Sequence, residues 1–296
     1  MKLKLLTGVL AIFFLACAAW FFSTRQDTTA PSGNAEARTV VQVKEAAVAW
    51  LGDDFSLPDK ANERPVYDAY TLEQRRHKGL PITYAGTRPY WYGDHVAYLT
   101  FDDGPSDKNT EAILKILQDE HIHATFFLTG KNVERYPEVV KAIYASGNAI
   151  GIHSYSHVYD TIYASPAAYM KEVDQTANLI YQVIHARPII SRAPGGTAGH
   201  FTRSFWDALR AQGYIEVGWN ALTGDADGTG KTAAKSVENL KKQLQQRPYL
   251  QSHLVILMHD GAGHEATVKA LPQIIKLLKE KGYTFRVVTT AIPPCW

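Results

Sequence analysis

The chain has 296 residues, enough for one α/β barrel domain or two ordinary domains. It is 46% hydrophobic and 20% charged, a globular composition; a domain of about 200 residues of this kind buries a full core without disulfides or a structural metal. A net charge of +2, with basic and aromatic residues scattered along the chain, excludes a nucleic-acid surface.

Lys2 and Lys4 precede an uncharged, apolar stretch, 5–23, closed by Arg25. Such a stretch is long enough to span a bilayer, and Trp20, Phe21 and Phe22 sit where aromatics favour the interface. Residues 1–25 are therefore expected to be an uncleaved signal anchor, with a cleaved signal peptide as the alternative, and the rest of the chain outside. Cys17 then cannot meet Cys295, and no disulfide framework is expected. A polar linker follows at 26–36, then a lead-in at 37–92 that packs on the domain after it.

From residue 93 to about 290 the pattern is regular. Strands are expected at 95–101, 124–129, 148–153, 189–192, 214–220, 253–259 and 284–289. Helices are expected between them at 110–120, 137–146, 166–185, 203–212, 232–246 and 265–281, with Pro166 in a first turn and Gly282 closing the last. Apolar strands alternating with helices predict a buried parallel sheet, α/β in class, closed or nearly closed into a barrel.

Five polar motifs each follow a strand pattern. They are Thr100-Phe101-Asp102-Asp103-Gly104, His153-Ser154-Tyr155-Ser156-His157, Arg192-Ala193-Pro194-Gly195-Gly196, the acidic loop around Asp225, and Leu257-Met258-His259-Asp260. In strand–helix barrels, loops converge at this end of the strands. Asp102 and Asp103 point in different directions, so one carboxylate can hold a metal while the other faces its water. Two imidazoles, His153 and His157, with one carboxylate make a three-ligand site with open positions. Arg192 needs a carboxylate partner at a barrel mouth; a bidentate pair with Asp102 would orient that carboxylate and keep it ionised as a base. His259 ends a strand and is placed to donate a proton from the side away from the ligands, with His264 in reserve.

Together these motifs resemble the polysaccharide deacetylase family, carbohydrate esterase family 4, over residues 93–290. The resemblance implies a distorted (β/α)7 barrel and hydrolysis of N- or O-acetyl groups on a polysaccharide. Carried over motif by motif, it makes Asp102 the catalytic base and Asp103, His153 and His157 the ligands of a divalent metal, usually zinc, with cobalt or another divalent ion as a substitute. Arg192 would hold the base, His259 would be the catalytic acid, and the Gly195 N–H would serve the oxyanion. Two departures stand out. Gly195 occupies a position where the family often has an aromatic, so an aromatic wall is missing. In the fourth motif Leu222 replaces an Asp and Ala226 a Trp, so Asp225 or Asp227 takes over tuning of His259. A membrane anchor with an outward-facing deacetylase suggests acetylated cell-wall peptidoglycan as substrate, outside the cytoplasmic membrane of a bacterium. The competing reading is an inactive or retuned barrel that binds glycan, with Tyr90, Trp91 and Tyr92 as surface aromatics.

Overall fold

The structure, a computed structural model, describes residues 48–296 apart from 87, 89, 294 and 296. The expected anchor at 1–25 and linker at 26–36 lie outside the described residues. Among the described residues no helix is long and apolar enough to cross a membrane.

Two short strands, β1 (Ala49–Trp50) and β2 (Val66–Asp68), and helix α1 (Leu72–His77) come first. The regular part opens with β3 (Val96–Asp102), α2 (Asn109–Asp119), β4 (Thr125–Thr129), α3 (Gly130–Arg135), α4 (Pro137–Ala145) and β5 (Ala149–Ser154). It continues with α5 (Tyr159–Ile162), α6 (Pro166–Ile184), β6 (Arg187–Pro188), β7 (Ile190–Ser191), α7 (Arg203–Ala211), β8 (Ile215–Glu216) and β9 (Ala221–Leu222). It closes with α8 (Ala233–Gln246), β10 (His253–His259), α9 (Glu265–Glu280) and β11 (Thr284–Phe285). The long α6 starts as its sequence predicts: Pro166 occupies the first turn, and the Ser165 hydroxyl accepts the Ala168 N–H.

The main sheet is parallel, in the order β8-β7-β5-β4-β3-β10-β9, with β11 also on β3. β3 is central. β10 pairs with all seven of its residues on one side; β4 and β11 share the other, β4 at the C-terminal half and β11 at Val96 and Ala97. The sheet curls into the expected distorted barrel. The expected strand at 214–220 is two strands instead. After Glu216 the chain leaves the β7 edge and rejoins at Ala221 on the β10 edge, so the intervening residues cross the seam of the barrel.

Alternation along each strand sorts side chains to two sides. Leu99 and Phe101, Phe126 and Leu128, Ile150 and Ile152, and Ile256 and Met258 pack outward under the helices with Ile113, Val140, Val173 and Ile274. Val96 and Tyr98 of β3, Phe127, Ile190, Val217, Val255 and Val288 fill the interior. Continuing the inward rows by two residues at a time gives Asp102 on β3, His153 on β5, Arg192 after β7 and His259 on β10. The interior row that is apolar at the bottom thus turns polar at the top, on four strands at once.

The lead-in plugs the opposite end. β1, β2 and β6 form a small sheet, and Tyr67 on β2 accepts the N–H of Ile150 near the start of β5. The aromatics at 90–92 belong to this end too: Trp91 packs beside Val96 at the start of β3, with the Arg286 guanidinium 4.2 Å from its ring. Where the lead-in meets β6, Asp68, Arg75 and Arg187 are fully buried. Asp68 Oδ2 accepts from Arg75 Nε at 2.6 Å and from Arg187 Nη2 at 2.5 Å, while the rest of the Arg75 fork donates to the carbonyls of Gly52, Asp53 and Pro81. Removing the shared carboxylate leaves two buried cations uncompensated, so Asp68→Ala should cost about 3–5 kcal/mol. Urea unfolding monitored by tryptophan fluorescence would measure it; a loss below ~1 kcal/mol would mean water reaches the cluster.

Candidate active site

The Asp-Asp pair sits where β3 ends. Asp102 is still in the extended strand and faces the interior; Asp103 has a positive φ of 73°, which breaks the alternation and swings its carboxylate aside. Asp tolerates this left-handed conformation better than most residues. Asn132 donates its side-chain N–H to the Asp103 carbonyl and so ties the turn to α3.

Asp103 Oδ1 lies 3.4 Å from His153 Nε2 and 3.1 Å from His157 Nε2. His153 Nδ1 is 2.8 Å from the Arg192 carbonyl, which can only accept, so Nδ1 carries the ring proton and Nε2 presents its lone pair. His157 reaches the same point through a tight turn with its own positive φ of 55°, held by the Ser154 hydroxyl and by Glu172. Glu172 accepts the N–H groups of Tyr155 and Ser156 at 2.9 and 2.6 Å. Burial pushes the Asp103 pKa up, but the closeness of the two imidazoles outweighs it and holds the carboxyl well below its ordinary range. Asp103 Oδ1 is nevertheless buried without a proper hydrogen-bond partner. One orphaned carboxylate oxygen facing two imidazole nitrogens fits a divalent cation.

Asp102 is buried beside this cluster. Arg192 Nη1 donates to Asp102 Oδ1 at 2.9 Å and to Thr100 Oγ1 at 2.7 Å. The expected bidentate pair is therefore a single contact. The remaining donors of the fork, Nε and Nη2, go to the carbonyls of Val217 and Gly218, each at 3.0 Å, because those carbonyls cross the barrel seam. The guanidinium also lies 4.1 Å from the centre of the Phe127 ring on the barrel floor.

His259 is the register partner of Asp102 across β10 and β3. Its Nδ1 is 3.0 Å from Asp225 Oδ1, and its backbone N–H donates to Asp225 Oδ2 at 2.8 Å. Thr267 donates to the same Oδ2 at 2.6 Å. Of the two acids that could tune His259, Asp225 is the one in contact; Asp227 is turned to solvent and caps Thr229. Burial works against charging His259, but the bond to Asp225 and the charges of Asp102, Asp225 and Asp103 prevail and raise its pKa to about 9. His264 stacks on the His259 ring with centroids 5.0 Å apart. Asp225, His259 and His264 also lie close enough to hold an ion, but both Asp225 oxygens are already engaged, as in a proton-donating pair rather than a ligand set.

Sequence reasoning missed the residues that hold these loops. Glu216 is buried behind the third motif, accepting the Ala193 N–H at 2.6 Å and the Ser191 hydroxyl at 2.9 Å, and burial raises its pKa to about 8. Glu172, on α6, likewise accepts backbone N–H groups from the histidine turn. Each is a lone acid in an otherwise ordinary strand or helix; only an unbroken apolar context, as in Tyr214-Ile215-Glu216-Val217, signals that it is buried. Gly195 has a φ of 72°, which glycine adopts freely.

The polysaccharide deacetylase family model matches residues 92–217. A putative polysaccharide deacetylase of Bacillus subtilis is 32% identical over 206 residues, covering 68% of this chain and 70% of that one. A peptidoglycan-N-acetylglucosamine deacetylase of Bacillus cereus is 34% identical over 197 residues, 64% of this chain and 68% of its own. Among solved structures, the catalytic domain of a peptidoglycan N-acetylglucosamine deacetylase from Eubacterium rectale superposes with a TM-score of 0.63 at 30% identity, over 71% of this chain and 96% of that one. With the same curled parallel sheet and relatives this similar over two thirds of their length, the chain belongs to the polysaccharide deacetylase family, carbohydrate esterase family 4.

Proposed function

We propose that this chain is a metal-dependent hydrolase that removes N-acetyl groups from cell-wall peptidoglycan. The observation that carries the chemistry is the convergence of three devices at one barrel mouth: the orphaned Asp103 oxygen facing His153 and His157, the Asp102–Arg192 pair, and the His259–Asp225 pair. The substrate follows from relatives whose names state peptidoglycan deacetylation. Residues 93–290 form the catalytic domain, residues 37–92 a lead-in, and residues 1–25 an anchor that would keep the enzyme on the outer side of the membrane.

Asp103, His153 and His157 would hold zinc, or cobalt in its place, which when bound supplies a Lewis acid for the acetamide carbonyl and acidifies water. Asp102 accepts a proton from the attacking water as its oxygen bonds to the carbonyl carbon. Arg192 fixes Asp102 through one oxygen and leaves the other open. The Gly195 N–H donates to the oxyanion that forms. His259 has its Nδ1 committed to Asp225, so Nε2 gives its proton to the sugar nitrogen as the C–N bond breaks, releasing acetate and a free amine. The contact between Asp225 and His259 supports an active enzyme over the binding-module reading, since the altered fourth motif still delivers its acid.

The test is acetate release from peptidoglycan and from N-acetylated chitooligosaccharides. Activity should vanish on chelation and return with zinc or cobalt; no release from either glycan by metal-loaded protein would overturn the reading. Asp102→Asn should lower kcat by about 10²–10⁴ with metal content unchanged; wild-type turnover would remove Asp102 as the base.

The folded pKa of His259, about 9, lies above its ordinary 6.5. Its contribution to stability is therefore complete below the ordinary value and lost as pH rises through the higher one. Histidine NMR titration of the metal-free protein should place His259 near this raised value. Asp225→Asn should bring it down by roughly one unit or more. An unmoved titration would show that Asp225 does not tune the ring.

A further inference from the structure

We infer that Tyr159, on the short helix α5, is the aromatic wall of a sugar subsite at the barrel mouth, standing in for a side chain absent at position 195; the inference rests on the deacetylase reading above. A Cβ built on Gly195 would lie 2.5 Å from the Tyr159 hydroxyl oxygen, 3.1 Å from Cε1 and 3.2 Å from Cζ. The space that a residue at 195 would enter is thus already filled by the Tyr159 ring. The positive φ of Gly195 adds a second reason why no side chain belongs there.

The placement is built, not incidental. Tyr163, one turn further along, donates its hydroxyl to the Pro194 carbonyl at 2.6 Å and so fastens α5 to the third motif. His200 stacks on Tyr163 at 4.1 Å and meets Tyr159 edge-on at 5.6 Å. Tyr159 itself stands edge-on to the ring of His157 at 5.7 Å. Although flanked on these sides, it remains 41% exposed. An aromatic side chain this exposed beside His157 is the feature expected where an apolar ligand face must be received. On the other side of the loop, a Cβ on Gly196 would lie 2.9 Å from Trp219 Cη2. Two successive glycines therefore form a floor without side chains between two aromatic rings. The ligand class that fits is a pyranoside whose C–H face lies on Tyr159 while its N-acetyl group reaches the Asp103 side of the mouth.

The test uses the full metal-loaded chain with N-acetylchitotetraose and, as a substrate without sugar, p-nitrophenyl acetate. Tyr159→Ala should raise KM for the tetrasaccharide about tenfold, the factor one aromatic face supplies. Its kcat should hold within about twofold, with metal content and p-nitrophenyl acetate turnover unchanged. Tyr159→Phe, which keeps the face, should restore the wild-type KM. An unchanged KM in Tyr159→Ala, or equal losses on both substrates, or loss of metal, would reduce Tyr159 to a prop and overturn the inference. If the wild type released no acetate, the deacetylase reading would fall on its own. Calorimetric binding of the tetrasaccharide to wild type and not to Tyr159→Ala would then still uphold the subsite, and equal binding would overturn it.

Discussion

The site depends on one buried guanidinium. Arg192 closes the barrel where the backbone ladder cannot: β8 and β9 leave the sheet at opposite edges, and the carbonyls of Val217 and Gly218 between them are bridged by Arg192. The same side chain holds Asp102 and Thr100 on β3, and its own carbonyl fixes the proton of His153. A lysine could not do this, because a single ammonium cannot reach two carbonyls across a seam and a carboxylate in fixed directions. Barrel closure, the orientation of Asp102 and the tautomer of His153 are thus one arrangement. Its charge is compensated by Asp102, and its donors are used on groups that would otherwise be buried unpaired.

Above that constraint the geometry follows from alternation. Inward rows on β3, β5 and β10 run from apolar residues at the bottom to Asp102, His153 and His259 at the top. Regular strands cannot place two neighbouring residues in one site, so the other two members of the Asp-His-His cluster come from broken backbone: Asp103 and His157 both take positive φ. The strained positions are the ones that must face a common point while their neighbours already occupy the inward direction. Glu216 and Glu172 then hold the loops by accepting backbone N–H groups, which keeps the turns from relaxing.

Much of this was legible in the residue order. Strand-then-polar-motif recurred at β3, β5, β7 and β10 because a parallel barrel makes each strand apolar until it reaches the mouth, so Asp102, Asp103, His153, His157, Arg192 and His259 could be named from the pattern. Three features were not legible. The strand expected at 214–220 breaks because residues 217–220 must cross the seam, a demand of closure that local composition does not carry. Helix α5 is too short to show a period. The Arg192–Asp102 contact is single because the donors that would make it double are drawn to carbonyls of the seam segment between β8 and β9.

The two departures from the family pattern have one physical reading. Leu222 stands where an acid was expected, yet Asp225 meets His259 through both backbone and ring, and Thr267 completes its second oxygen. Gly195 stands where an aromatic was expected, and a Cβ there would fall against the Tyr159 side chain. For His259 the carboxylate contact thus comes from Asp225 and not from position 222. This is what loops on a rigid scaffold permit: the strands fix where the mouth is, and any loop that reaches it can supply the group. A missing residue in a loop motif is therefore weak grounds for lost chemistry, whereas the loss of Arg192, Asp102 or His153 would be strong grounds, because no neighbouring loop can replace a side chain set by strand register.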